Sequence, residues 1–287
     1  MIYFNGAYCK PEDAKISVFD AGYYFGDGIY EMILLYEGKV VDLEPHLERM
    51  QKIAKEVRFK NVPSKEYITS CIKEVARLNP HIKTGSIYIQ LTRGCEPRSH
   101  HFIDLDLKPN MMIMIREFAH DIYNVVNSKL NCMLQPDQRR YRRDIKMISL
   151  MPMVLSKLEA EENGFNDLIY YDRESKAITE SSSSNVFIVR QDGVVVTHPL
   201  GVELLHGTAR KHVIDFLREE GLTVLEEKFY ANDLFAAKEC FFTGSFKWPS
   251  SVVAVNNVQI GDGQIGEITK LVHKKSFEFI NSCPNLL

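Results

Sequence analysis

Four short segments carry residue types whose spacing permits covalent and anion-binding chemistry. Asp144–Ile145–Lys146 sits between apolar and aromatic residues after the basic run Arg139–Arg140–Tyr141–Arg142–Arg143. A lysine facing inward from such a segment loses hydration, which lowers its pKa and leaves the amine nucleophilic toward an aldehyde. Taken alone, a lysine beside Asp144 is more often half of a surface ion pair. Thr179–Glu180–Ser181–Ser182–Ser183–Ser184–Asn185 places a carboxylate ahead of hydroxyls and an amide, then enters an apolar strand. A serine-rich loop is the plain reading. A buried glutamate beside a pyridine nitrogen would instead keep that ring protonated, as an electron-sink cofactor requires. The serines and Asn185 are then available to its phosphate and ring oxygen.

The third segment, Leu204–Leu205–His206–Gly207–Thr208–Ala209–Arg210, is a glycine-threonine entry into a helix. N–H groups at a helix start, together with its dipole, make an anion site. Thr243–Gly244–Ser245 closes the apolar strand Cys240–Phe241–Phe242 and offers a second anion-cradling turn, with Arg49 as a fixed positive charge. The fourth segment is Arg93–Gly94–Cys95–Glu96–Pro97–Arg98–Ser99–His100. On extended backbone Arg98 and His100 share a side and can clamp a carboxylate. A surface turn bearing an arginine and a histidine is an equal reading, and His101 fits either.

These segments need elements to hold them. Met1–Phe4, Tyr8–Lys10 and Ile29–Tyr36, the last turned by Glu37–Gly38–Lys39 into Val40–Asp42, predict antiparallel hairpins. Leu43, Leu47, Met50, Ile53, Ala54 and Val57 recur at helical steps, as do Tyr67, Ile68, Cys71, Ile72 and Val75. Strands are expected again at Ser86–Thr92 and Met111–Phe118. Ala119 to Asn131 is polar and irregular, which places a domain boundary near residue 120. Beyond it, Asp167–Tyr171, Asn185–Val189 and Val194–Thr197 predict strands, while Pro152–Asn163, Ala209–Glu220 and Gly266–Ile280 predict helices.

Bulk properties remove several function classes. A chain of 287 residues favours two lobes, and a net charge of -3 provides no field for nucleic acid. The apolar stretches fall short of the roughly 20 residues of a membrane helix, and the N-terminus lacks a signal peptide's basic start. No membrane partner and a cytoplasmic location are expected. Six cysteines lie scattered without zinc spacing, so reduced thiols and no metal are expected.

Phe25–Gly26–Asp27–Gly28–Ile29–Tyr30–Glu31, His46–Leu47–Glu48–Arg49, Asp144–Ile145–Lys146, Glu180 with Ser181–Asn185, and Gly207–Thr208–Ala209–Arg210 together resemble the fold-type IV aminotransferases. The resemblance runs in order along nearly the whole chain. Within that family, Thr92–Arg93–Gly94 followed by Pro97–Arg98–Ser99–His100 is similar to the D-amino-acid aminotransferase signature. The resemblance implies a two-domain α+β fold with pyridoxal 5'-phosphate held between the domains. A small N-terminal α/β domain would span residues 1–120 and a larger cofactor-binding domain residues 121–287. It implies that Lys146 carries the cofactor and shuttles the proton, and that Glu180 pairs with the pyridinium nitrogen. Arg49, Thr208, Ala209 and Ser245 would bind the phosphate, and Leu205 would pack against the ring. Tyr30, Arg98 and His100 are implied as the trap for the substrate α-carboxylate, the last two reaching in from the neighbouring subunit of a homodimer with shared active sites.

The implied reaction is transamination between a D-amino acid, such as D-alanine, D-glutamate or D-aspartate, and a 2-oxo acid, such as 2-oxoglutarate or pyruvate. Two relatives of the same fold remain as alternatives. A branched-chain L-amino-acid aminotransferase would use Lys146 and Glu180 with a different carboxylate trap, against which Arg98 and His100 argue. A 4-amino-4-deoxychorismate lyase would eliminate pyruvate and need no amino acceptor. The sequence departs from the family's pattern at Phe246–Lys247–Trp248–Pro249, where small hydroxyl residues and an acid are usual. Phe246 is expected to narrow the side-chain pocket, or Lys247 to attract an acidic substrate side chain. Ala209 offers a phosphate only its backbone N–H, which predicts weaker cofactor binding.

Overall fold

The computed structural model describes residues 1–99, 106–118, 127–139 and 141–287. Contacts divide the chain into two units, Met1–His120 with Ile145–Ser149 and Ser282–Leu287, and Asp121–Asp144 with Leu150–Asn281. Lys146 thus groups with the N-terminal residues.

The first unit is built on an antiparallel sheet. Strands β1 (Ile2–Phe4), β2 (Ala7–Cys9), β3 (Gly28–Tyr36), β4 (Lys39–Val40), β5 (Gly85–Thr92) and β6 (Asn110–Glu117) lie in the order β2-β1-β6-β5-β3-β4. A short helix, α1 (Ala21–Phe25), precedes β3, and helices α2 (Leu43–Glu56) and α3 (Lys65–Leu78) follow. The three- and four-residue steps of the sequence become one buried face. Leu47, Met50 and Ile53 of α2 pack with Ile68, Ile72 and Val75 of α3 against the sheet core. Ser64 fixes the start of α3 by accepting the Tyr67 N–H at 3.2 Å, a cap worth about 1 kcal/mol.

Lys146 is placed by backbone pairing. Tyr30 N–H donates to the Lys146 carbonyl at 3.1 Å and Ile148 N–H to the Gly28 carbonyl at 3.0 Å, which lays the segment along the start of β3. Ile145 is buried in the core and Met147 packs against it, so alternation sends Lys146 to the other side. Gly28 permits this approach: a Cβ there would stand 2.6 Å from Ile148 Cδ1 and 2.9 Å from the Leu91 carbonyl oxygen.

The second unit holds β7 (Lys129–Pro136), α4 (Met151–Glu162), β8 (Asp167–Tyr171), β9 (Ile178–Ser181), β10 (Asn185–Val189) and β11 (Val195–Thr197). These are followed by α5 (Thr208–Glu219), β12 (Val224–Glu226), α6 (Ala231–Phe235), β13 (Glu239–Gly244), β14 (Lys247–Val255), β15 (Val258–Gln259) and α7 (Glu267–Ser282). The sheet runs β12-β11-β10-β13-β14-β7-β8-β9, and β9 also pairs with β10. Six strands from β10 round to β9 therefore close on themselves, and the closing bridge joins Asn185 to Glu180. Both faces of β10 are buried: Val186 and Ile188 enter one core cluster, Phe187 and Val189 another shared with α5 and α7. That is why the strand reads as an unbroken apolar run.

Strands β7 and β14 lie where the sequence reading placed no strand. Lys129–Asn131, expected as irregular connection, open β7, whose neighbours β8 and β14 are both parallel to it. Strand β14 contains Pro249, which ordinarily argues against a strand, but the pairing with β13 shifts register between Phe242 and Gly244 at that point. Among the described residues, no helix is long and apolar enough to cross a membrane, and no group of three or more His, Cys, Asp or Glu is placed to hold a metal.

Candidate active site

In the first unit the Lys146 ammonium lies 4.3 Å from the centre of the Tyr30 ring, bringing together the expected cofactor lysine and one expected substrate residue. Tyr88 stands beside Tyr30 with ring centres 5.7 Å apart and donates its hydroxyl to Gln90 Oε1 at 2.7 Å. Burial, aided by Tyr30, pushes the Tyr88 phenol up to about 12, so it remains protonated at neutral pH.

Arg49 is anchored by a residue the sequence reading did not use for binding. Its Nε and one terminal nitrogen each donate to Glu31 at 2.7 Å, a two-pronged pair behind β3. Glu31 is fully buried and also meets His46 Nδ1 at 2.7 Å. Burial opposes the carboxylate's charge, but Arg49 and His46 outweigh it and hold the group well below the usual carboxylate range. Burial pushes the His46 imidazole below its ordinary value despite Glu31, so a neutral ring donates Nδ1–H to the carboxylate. Glu31 follows Tyr30 directly, and alternation turns the two to opposite sides of β3. One strand thus presents Tyr30 and anchors Arg49.

The fourth segment is only partly described. Arg98 lies over the Phe25 ring at 5.4 Å, while Arg93 pairs with Asp27 at 2.5 Å and stacks on Phe59. His100 and His101 lie outside the described residues.

In the second unit Glu180 is 4% exposed and engaged through both oxygens. Arg139 donates to Oε1 at 2.7 Å and the Leu205 N–H to Oε2 at 3.2 Å. Each carboxylate oxygen retains a lone pair for a further donor. Of the basic run, Arg139 is therefore turned inward. Arg139 is buried, chelates Asp137 at 2.6 and 3.0 Å, and lies 4.3 Å from the Tyr170 ring centre. Burial works against its charge, but Glu180 and Asp137 prevail and raise its pKa. Arg143 also approaches Asp137, at 3.1 Å, while Arg140 lies outside the described residues.

Closure of the strand ring then sets Leu205. Asn185, opposite Glu180 across the bridge, donates to the Leu205 carbonyl at 3.0 Å while Glu180 accepts the Leu205 N–H, fixing that residue through the peptides on either side of it. Gly207 follows at the N-cap of α5 and offers no capping side chain. A Cβ on Gly207 would stand 2.2 Å from Asn185 Oδ1. Thr208 and Ala209, the residues the sequence reading assigned to an anion, open α5 directly after this glycine, where no side chain caps the free N–H groups. The serines do something different from the expectation: Ser181 Oγ accepts the Ser184 N–H at 3.0 Å and Ser182 donates to Asp167 at 2.6 Å, so they shape the loop. Ser245 sits in the β13–β14 turn. Lys247 donates to Asp167 at 2.6 Å, so the charge expected to attract an acidic substrate is already met.

A family model described as amino-transferase class IV matches residues 28–255. The chain belongs to the class IV aminotransferases. Among curated aminotransferases, the D-alanine aminotransferase of Staphylococcus haemolyticus is 32% identical over 281 residues, covering 98% of each chain. That of Listeria monocytogenes is 31% identical over 289 residues, covering 100% of this chain and 98% of the relative. Among solved structures, the branched-chain amino acid aminotransferase of Escherichia coli superposes with a TM-score of 0.86 at 23% identity, covering 99% of this chain and 96% of that one. At that identity the likeness is one of fold, and this aminotransferase has the two-domain α+β architecture of fold type IV.

Proposed function

We propose that this aminotransferase moves amino groups between D-amino acids and 2-oxo acids on pyridoxal 5'-phosphate, with D-alanine as an amino donor. The observation that carries the cofactor reading is the buried Glu180 carboxylate, fixed by Arg139 and the Leu205 N–H while each oxygen retains a lone pair. A protonated ring nitrogen suits that acceptor, and the start of α5 with the Ser245 turn suits a phosphate. When bound, pyridoxal phosphate supplies an aldehyde to take the amino group and a ring to accept the electron pair of a broken Cα–H bond.

The chain's own residues do the rest. Lys146 supplies the amine that holds the cofactor and, when displaced, the base that moves the α-proton. Glu180 keeps the ring nitrogen protonated, Leu205 packs on the ring, and Arg49, Thr208, Ala209 and Ser245 take the phosphate. Tyr30 with Arg98 and His100 of a partner subunit binds the α-carboxylate. Association into a homodimer is supported by an unusually apolar face on α4, where Met151, Val154, Leu155 and Leu158 are each 44% or more exposed. The D-specific reading is supported by the full-length likeness to relatives named D-alanine aminotransferase.

The test is to incubate purified protein with pyridoxal phosphate and 2-oxoglutarate, offering D-alanine or L-leucine in parallel. Pyruvate from D-alanine alone is expected. 4-Methyl-2-oxopentanoate from L-leucine alone would transfer the assignment to the branched-chain group, and silence with both would leave the lyase or a different amine donor.

A further inference from the structure

The segment Phe246–Lys247–Trp248 directly follows Ser245, and its contacts give it a task other than lining a pocket. Trp248, the chain's single tryptophan, is 3% exposed. Its Nε1–H donates to the Ser245 carbonyl at 3.2 Å, closing the turn on itself. The indole also stacks on Phe279 of α7 with centres 5.8 Å apart, and it lies 6.0 Å from His212. His212 in turn packs on Phe279 at 4.2 Å. It stands four residues beyond Thr208, one turn into α5. One ring cluster therefore joins the Ser245 turn to the helix whose first residues, Thr208 and Ala209, are proposed above to take the phosphate.

The turn is tied on its other side as well. Lys247 reaches Asp167 at the start of β8, and Asp167 accepts the Ser182 hydroxyl from the loop that follows Glu180, each at 2.6 Å. Asp167 is 2% exposed, so the Lys247 charge also compensates a buried carboxylate.

We propose that Trp248 and Lys247 are positioning residues that hold the Ser245 turn in register with the N-terminus of α5, so that the two pieces act as one phosphate cradle. The inference rests on the cofactor reading above and extends it to two residues that do not touch the phosphate. In this cradle the turn is fixed from behind by an indole N–H and an ion pair.

The test compares how cofactor-free enzyme binds pyridoxal phosphate and pyridoxal, each followed by the absorbance of the bound chromophore. Trp248→Phe keeps a stacking ring and removes the N–H; Lys247→Met keeps the length and removes the charge. The wild type is expected to prefer the phosphorylated form strongly. Each variant is expected to narrow that preference by about threefold to tenfold, the range of one net hydrogen bond, with pyridoxal affinity little changed. Equal losses for both compounds, or no change, would overturn the inference, since a general packing defect does not single out the phosphate. A wild type without preference for the phosphorylated form would bring down the cofactor reading itself. Trp248→Phe decides the matter alone should Lys247→Met fail to fold.

Discussion

In the N-terminal unit the candidate phosphate residue Arg49 is fixed by a buried charge pair, whereas in the C-terminal unit Leu205 and Ser245 are met at their backbone, and the charge cluster of Arg139, Glu180 and Asp137 reaches Leu205 only through a peptide N–H. Arg49 is fixed by Glu31, and Glu31 by Arg49 and His46, all on β3 and α2 and all deep in the unit. Leu205, Gly207 and Ser245 sit on connections instead. They are set by peptide groups meeting Glu180, Asn185 and Trp248, and by a glycine whose missing Cβ leaves room. A buried ion pair such as Glu31 with Arg49 stabilises only while both members are present, because removing one leaves the other charge buried without its partner. A backbone-built cradle fails locally, at the peptide that is pushed aside.

The largest effect expected from this contrast is that of Glu31→Gln. The Arg49 guanidinium would remain buried with a neutral partner, and breaking a buried pair in this way costs about 3–5 kcal/mol. Urea unfolding should show that loss, and adding Arg49→Met should recover most of it. A loss under about 1 kcal/mol for the single variant would mean that the pair is not the anchor of this unit.

Gly207→Ala probes the other half of the comparison. The new Cβ would meet Asn185 Oδ1 at 2.2 Å, and relief requires moving either the start of α5 or the Asn185 amide that holds Leu205. Overpacking of this kind costs about 1–3 kcal/mol. The cost should emerge chiefly as faster loss of cofactor on dialysis, and combining it with Asn185→Ala should restore part of the stability. Equal cofactor retention by wild type and Gly207→Ala would show that the cradle tolerates displacement and would erase the contrast.

What could be read beforehand follows the same division. Helices α2 and α3 were legible because Leu47, Met50, Ile53, Ile68, Ile72 and Val75 repeat at steps that only a helix turns to one side. Lys146 and Glu180 were legible as candidates by residue type and company. Three features were not. Glu31 reads as one more residue of a strand, and only the fold brings α2 behind β3. Arg139 reads as surface charge because composition cannot report that Asp137 and Glu180 await it inside. The ring of strands closes between Glu180 and Asn185 through parallel partners far apart in sequence, and no local periodicity records such a pairing.

The smallest expected effect concerns the charge pair beside the Ser245 turn, Lys247 with Asp167. Burial raises the Asp167 carboxyl, but Lys247 together with the Ser182 hydroxyl overcomes this and holds it below its ordinary value. A depressed carboxyl contributes stability that is present above its unfolded pKa and lost as pH falls through its folded one. Lys247→Met removes that contribution at neutral pH and leaves Asp167 with Ser182 and, at 4.0 Å, Lys157. The stability difference between wild type and variant should therefore be largest near pH 7, at about 1–2 kcal/mol, and shrink as pH falls below about 4. Urea midpoints for both proteins at neutral and acid pH measure it, and the Glu31 cluster cancels because it is the same in both. A difference that does not change with pH would assign the Lys247 effect to the packing of its stem over Phe242, 5.5 Å from the ammonium, and not to its charge.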